Sequence, residues 1–304
     1  MLRRIKDFIK TVLYTKNGVG IIFFIFILKK NVKAKFGNNF SFEVNRVNWS
    51  EFMKYVDFFR YFPKGKINGK YATIPYGGRS LVFNCGDYFD VFSLEEVFGF
   101  KSYDPFLKGV NLSERVVVDI GAAFGDTPIY FAICGAKKII AIEPVKTFAD
   151  LTKENLSLNN FDSLIKIIHA GVGRVPLDDI SEDPMFGVVF GGYASFDKEF
   201  KIKTPVITLE SIVKENSIEN GLIKIDCEGW EYDILNSSSD ELLRKFEYFV
   251  IEYHYGFKGI EERLVKAGFS TRHVDVSLIY VPEREGEYAN MNVGMLFARR
   301  KSLM

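Results

Sequence analysis

From Arg115 onwards, short apolar runs alternate with stretches of helical spacing, and no other feature constrains the fold of this chain as strongly. Runs at 116–120, 138–142, 164–169, 222–226 and 248–253 are rich in Val, Ile and Leu and too short for helices. Between them lie helical patterns at 128–134, 148–158, 209–215 and 260–267, with a helix start at 232–235 and an extended piece at 205–208. Strands that are apolar on both faces need cover on both sides, and helical crossovers supply it. The expectation is an α/β fold with a doubly wound, mostly parallel sheet, closed by strands at 277–281 and 292–298.

The residues before this alternation read differently. Short runs at 33–36 and 40–44 flank Gly37-Asn38-Asn39, a β-hairpin pattern. Ser50 is placed to cap a helix through Phe62, with Phe52, Tyr55, Val56 and Phe59 on one face. Strand-like pieces follow at 71–74, 80–83 and 89–92. Residues 32–112 are read as a small α+β lead-in whose aromatic richness serves packing rather than a ligand. Ahead of it, residues 1–31 combine a basic start with the apolar stretch GVGIIFFIFIL at 18–28. A membrane span needs ~20 mainly apolar residues, more than this run offers. No small-residue cleavage site follows to mark a signal peptide. Packing on the protein's own body is the leading reading, ahead of peripheral membrane contact and of a span. Residues 113–304 then form the main domain.

Charge adds an exclusion. Lys and Arg number 40 against 39 Asp and Glu, which is not the basic surplus of a nucleic-acid binder. Cys85, Cys134 and Cys227 form no CxxC pattern, which argues against a disulfide framework or a structural zinc site. The expected compartment is reducing and cytoplasmic, with membrane association as an option through 18–28. His169, His254 and His273 are equally scattered and offer no all-histidine metal site.

Four places carry chemistry. The first strand runs into Asp119-Ile120-Gly121-Ala122-Ala123-Phe124-Gly125-Asp126-Thr127-Pro128. Glycine lets backbone turn sharply and a ligand come close. Asp126 or Thr127 is expected to cap the helix that Pro128 opens. The spacing is not GxGxxG, and a glycine turn alone is often structural. The second strand ends in Glu143-Pro144, about 20 residues past the turn, where an acid can hold both ribose hydroxyls. The fourth strand leads into Asp226-Cys227-Glu228-Gly229-Trp230-Glu231, three carboxylates that are costly to crowd without a cation or proton. Helix capping by acids is the plainer alternative. The fifth strand ends in Glu252-Tyr253-His254, whose outer two residues point the same way if the strand persists.

The blocks VVVDIGAAFGDTPIYFAICGAKKIIAIEP, LTKENLSLNN, VITLESIV, LIKIDCEGWEYDIL and VIEYH together resemble the FkbM family of methyltransferases in order and spacing. The resemblance implies a class I methyltransferase fold, Rossmann-like, with S-adenosylmethionine as cofactor and O-methylation of sugars or other secondary metabolites as activity. It matches Asp119, Gly121 and Gly125 to the methionine side of the cofactor and Glu143 to the ribose. Ala123, Asp126, Thr127 and Pro144 flank these positions, and Ala170 and Gly171 after the third strand would border adenine. Ala123 stands where the family more often has Asn, which removes one side-chain hydrogen bond.

Methyl transfer to an alcohol is an in-line displacement that needs placement and a base. Asp226 or His254 is expected as that base, with Glu228 and Glu252 shaping the site. A variant in which Asp226, Glu228 and Glu252 hold a divalent cation is less favoured than metal-free chemistry. The acceptor is expected to be a small molecule or glycan. The glycine-rich segment 186–196, with Ser195, is either near the acceptor or a solvent-side insertion. Two rivals remain: a nicotinamide-dependent oxidoreductase, and a membrane-associated binding protein that retains the cofactor fold.

Overall fold

The computed structural model describes residues 2–22, 25, 30–86, 91–174, 189–190, 193–194, 204–280 and 290–301. They divide into two compact units, Met1–Pro105 and Phe106–Met304.

The first unit runs α1 (Leu2–Tyr14), α2 (Gly18–Ile22), β1 (Val32–Lys35), β2 (Ser41–Val44), α3 (Trp49–Tyr61), β3 (Lys66–Asn68), β4 (Tyr71–Tyr76) and β5 (Arg79–Asn84). A short α4 (Phe92–Leu94) continues into a π-helical turn at Glu95–Phe100, and the division between the units falls within α5 (Asp104–Leu107). The expected hairpin forms, with Val32 opposite Val44 and Lys35 opposite Ser41 around a 3-10 turn at Gly37–Asn39. Ser50 does not cap α3; the helix starts at Trp49, with Asn48 in the N-cap position two residues before Ser50. The turn there is held by paired asparagines: Asn45 N donates to Asn48 Oδ1, and Asn48 N donates to Asn45 Oδ1. Phe92 opens a helix rather than ending a strand, and residues 89–90 lie outside those described. The third strand of that sheet is instead β3, whose Lys-Ile-Asn has a single apolar residue to announce it. The phenylalanines pack on one another, as expected. The Phe36 and Phe59 rings stack with centroids 4.9 Å apart, and Phe52, Phe58 and Phe62 are buried beside them. Within the apolar stretch, Ile21 and Ile25 are buried while Val19 is exposed. No helix among the described residues is long and apolar enough to cross a membrane.

The second unit carries β6 (Val116–Ile120), α6 (Asp126–Ile133), β7 (Lys138–Glu143), α7 (Lys146–Leu158), β8 (Ile165–His169), β9 (Gly171–Val172), β10 (Val189–Phe190), β11 (Tyr193–Ala194) and β12 (Val206–Ile207). It continues with α8 (Leu209–Glu215), β13 (Gly221–Ile225), α9 (Glu231–Ser237), α10 (Asp240–Leu243), β14 (Phe246–Tyr253), α11 (Lys258–Lys266), β15 (Phe269–Tyr280) and β16 (Asn290–Arg300). Seven strands form one sheet in the order β15-β16-β14-β13-β6-β7-β8. The five from β8 to β14 are parallel, and β16 runs antiparallel to β14. Every residue of β13 is buried, as are Ile139 to Glu143 of β7, the pattern of strands covered on both faces. The closing strands are longer than their apolar cores suggest. Residues 269–276 carry Arg272, His273 and Asp275 because β15 is an edge strand and need not be apolar throughout.

This order fixes where a ligand can sit. β7 and β8 step outward on one side of β6, whereas β13 returns to its other side. The carboxyl ends of β6 and β13 therefore flank a topological switch point, where the connections on either side part and leave a crevice.

Candidate active site at the switch point

After β6 the chain turns through Gly121 (φ 83°), Ala123 (φ 43°) and Gly125 (φ 94°) before α6. A Cβ on Gly121 would lie 1.8 Å from the carbonyl oxygen of Asp226, so the approach of the two strand mouths requires glycine. Neighbouring elements hold the turn. Gly121 N and Ala122 N donate to the Ile142 carbonyl at 3.0 and 3.1 Å. From α7, Thr152 Oγ1 donates to Ala123 O and Asn155 Nδ2 to Phe124 O, each at 2.7 Å.

Glu143 completes this frame. Its Oε2 accepts from Ala123 N at 2.9 Å and its Oε1 from Val145 N at 2.8 Å, which orients the carboxylate and leaves a lone pair on each oxygen. Burial pushes its carboxyl up to about 8, against the pull of those two N–H groups. Burial likewise raises Asp126 to about 7. Neither Asp126 nor Thr127 caps α6. The N-cap position is Gly125, which has no side chain to offer, and Thr127 Oγ1 donates instead to Asp119 Oδ2 at 2.6 Å. Pro144 and Ala170 lie close by, since Ala170 N donates to Glu143 O and His169 Nε2 donates to Pro144 O. Gly171 follows in β9, paired with β12.

Across the switch point, Lys224 of β13 stands in register with Asp119 of β6. Its Nζ lies 3.2 Å from Asp119 Oδ1 and 3.5 Å from Asp226 Oδ2, and donates to Gly121 O at 2.6 Å. Burial alone would lower its pKa. Asp119, Asp226 and Asp126 outweigh that and hold the ammonium charged, above the usual lysine range. Asp119 therefore spends its oxygens on Lys224 and Thr127, and acts on the turn through them.

The other side of the switch point is an acid–histidine cluster. Asp226 follows β13, and then Glu228 (φ 57°) and Gly229 (φ 109°) reverse the chain into α9. A Cβ on Gly229 would meet the Tyr255 ring at 2.7 Å, so this glycine too is dictated by close approach. Glu231 is fully buried and accepts from Gly229 N at 2.9 Å and from His254 N and Nδ1, both at 3.0 Å. Next to it, Tyr232 OH donates to Gly256 O at 2.7 Å and accepts from Tyr255 N at 2.9 Å. These two residues of α9 clamp the chain leaving β14. With Nδ1 held by Glu231, His254 turns Nε2 towards Glu228 Oε2 at 3.5 Å and Asp226 Oδ1 at 3.9 Å. Burial pulls the imidazole pKa down, yet Glu231, Glu228 and Glu252 together hold it well above its ordinary value. Glu252 reaches the same place: Asp226, Glu252 and His254 each contribute one ligand-type atom to a group within 4.8 Å. The Cys227 thiol is pushed well up by burial and by Glu231, which removes it as a nucleophile.

The family described as the methyltransferase FkbM domain matches residues 119–276, just over half of the chain. The chain belongs to this FkbM methyltransferase family. Its sheet is accordingly the Rossmann-like one of class I methyltransferases, with β16 as the antiparallel closing strand. The protein arginine N-methyltransferases 1 of Oryza sativa subsp. indica and subsp. japonica are each 28% identical over 120 residues, 36% of this chain and 31% of theirs. The matched part thus spans under a third of these curated relatives. Similar solved structures include an S-adenosylmethionine-dependent methyltransferase of Agrobacterium tumefaciens, at 12% identity and a TM-score of 0.45, covering 78% of this chain and 72% of that one. A transferase of Pyrococcus horikoshii is similar at 14% identity and a TM-score of 0.44, covering 77% and 74%.

All the site residues expected from sequence fall inside the FkbM match, and the fold brings them to one edge of the sheet. Two groups form: Asp119 to Thr127 with Glu143, Pro144, Ala170 and Gly171, and Asp226, Glu228, Glu252 with His254. Ser195 lies outside the described residues; of its segment, β10 and β11 form a two-stranded antiparallel pair. Sequence reading missed Lys224, Thr152, Asn155 and Tyr232, and saw Glu231 only as one more acid. Lys224 did leave a signal, as a lone charge inside an otherwise apolar strand beside another strand ending in Asp119.

Proposed function

We propose that the chain is an S-adenosylmethionine-dependent methyltransferase acting on a hydroxyl oxygen of a small molecule or glycan. The observation that carries this reading is the contact of Gly121 with Asp226, which sets the glycine turn directly beside the acid–histidine cluster. Donor and acceptor sites that share one strand junction are what an in-line transfer requires.

The residues of the turn fit the donor. Glu143 is fixed by two N–H groups yet keeps acceptor capacity for a pair of ribose hydroxyls. Ala123 and Gly125, both at positive φ, keep side-chain bulk low where backbone must come close to a ligand. Ala170 and Gly171, beyond β8, border the adenine in this reading. When bound, S-adenosylmethionine supplies an electrophilic methyl group on a sulfonium. Asp226 serves as the base for the acceptor hydroxyl, since its carboxylate is partly open to solvent. His254, held by Glu231, is the poorer base because the surrounding acids keep its proton on, and it orients the cluster instead.

Incubating the protein with methyl-labelled S-adenosylmethionine and a panel of polyhydroxylated acceptors tests the reaction class. The expected product carries label in a base-stable ether. Label found only on nitrogen, or none transferred while the donor binds, would contradict the hydroxyl assignment.

A further inference from the structure

We infer that Asp226, Glu252 and His254 form a divalent-cation site at the acceptor side of the switch point. The argument starts from the histidine rather than from the acids. His254 is buried, and its Nδ1 is committed to Glu231. That bond fixes the ring and aims Nε2 at the carboxylates, where among the described residues it makes no hydrogen bond: its neighbours are Glu228 Oε2 at 3.5 Å and Asp226 Oδ1 at 3.9 Å. Its nearest acid oxygens stand 3.5 and 3.9 Å off, which leaves room between them and the ring nitrogen for another occupant. Such separations are long for hydrogen bonds, and suit ligands spread around an ion.

Three further features agree. One ligand atom from each of Asp226, Glu252 and His254 lies within 4.8 Å of the others. A carboxylate behind the far nitrogen of the imidazole, here Glu231, is how metal-bound histidines are commonly oriented and made better ligands. Glu231 is itself anchored by the N–H of Gly229 and of His254, so the support is rigid. Two carboxylates and one imidazole suit Mn²⁺, which accepts both oxygen and nitrogen donors.

The sequence reading favoured metal-free chemistry and, as its variant, an all-acid set containing Glu228. Geometry replaces Glu228 with His254, which stands after the end of β14 and close to Glu252. The inference rests on the proposed transfer to a hydroxyl and deepens it. A cation here would take the place of the proton on His254 Nε2. It would hold the acceptor oxygen beside Gly121 and ease loss of its proton to Asp226, which would ligate through one carboxylate oxygen and accept the proton on the other.

Titration of the full chain with Mn²⁺, followed by loss of the free-ion electron paramagnetic resonance signal, tests the site. One ion should bind per chain, and Asp226→Asn and Glu252→Gln should each weaken it at least ten-fold. Glu231→Gln should weaken it ~10–100-fold, as loss of an orienting partner does. Glu228→Gln should change it less than about three-fold. Thermal unfolding of each variant checks that it folds, and the two ligand variants stand in for each other if one does not. Absence of saturable binding, or equal binding by wild type and both ligand variants, would overturn the site. S-adenosylhomocysteine binding is measured on the same samples. Donor binding without Mn²⁺ binding removes the metal site alone, whereas Mn²⁺ binding without donor binding removes the methyltransferase reading and leaves the ion site standing.

Discussion

At the mouths of β6 and β7, Asp119, Asp126 and Glu143 are buried, at 0%, 3% and 5% exposure. At the mouths of β13 and β14, Asp226, Glu228 and Glu252 are all partly open, and they converge on one buried histidine. The first group works on the protein itself: Asp119 on Lys224 and Thr127, and Glu143 on the N–H groups of Ala123 and Val145. The second group crowds like charges that the fold does not fully separate. Burial on one side builds a rigid cradle. Partial exposure on the other leaves carboxylates able to take a proton or an ion. Lys224 joins the two, since its ammonium touches Asp119, Asp226 and the Gly121 carbonyl together.

Removing that joint should have the largest effect. Lys224→Met leaves a buried Asp119 carboxylate without its counter-ion, and the expected loss is ~3–5 kcal/mol in denaturant unfolding. Pairing it with Asp119→Asn should recover part of the loss. A single variant that loses under about 1 kcal/mol would mean that the turn after β6 does not depend on this ion pair.

Next comes a pH effect confined to the cradle. Glu143 titrates near 4.5 in a model peptide and about 8 here, so below both values it costs nothing. As pH rises between them, the unfolded chain releases the proton and the folded one resists, so stability falls across that window. The expected contribution is roughly 2–4 kcal/mol. Thermal unfolding of wild type from pH 5 to pH 8 should slope downwards more steeply than that of Glu143→Gln. Parallel slopes would show that Glu143 is charged throughout.

Ligand affinity separates the two sides more finely. Glu143→Ala should weaken S-adenosylhomocysteine ~10–100-fold, the worth of two lost hydrogen bonds. Glu228→Gln, across the switch point, should leave the same constant within about two-fold. Comparable losses in both would mean that the cradle and the cluster are one site for the donor.

The smallest effect expected is a gain. Glu228 sits at φ 57° among like charges. Glu228→Gly should therefore stabilise the fold by ~0.5–1 kcal/mol, measured by the denaturation midpoint. A loss of stability would show that Glu228 serves the fold rather than the site.

These same two sides explain what was legible in the sequence. The sheet was readable because its central strands are apolar on both faces, and the glycine and acids at strand ends marked candidate site residues; the switch point itself came only with the strand order. Glu143 was visible because it interrupts a fully apolar run. The expected caps of α6 failed because Thr127 had a better partner in Asp119, a contact between residues on different elements. Lys224 and Glu231 were missed for a related reason. Each gains its role from residues that only the sheet order brings together: Lys224 from Asp119, 105 positions away, and Glu231 from His254, 23 positions away. Only the end of the edge strand β15 reads as strand in the sequence, because an edge strand need not be apolar throughout.

The central claim is that the turn from Asp119 to Thr127, with Glu143, holds S-adenosylmethionine. Calorimetric titration of the full chain with S-adenosylhomocysteine tests it most directly. One saturable site per chain, lost or strongly weakened in Glu143→Ala and not reproduced by NAD, is the predicted result. No binding, or binding that Glu143→Ala leaves unchanged, would contradict it.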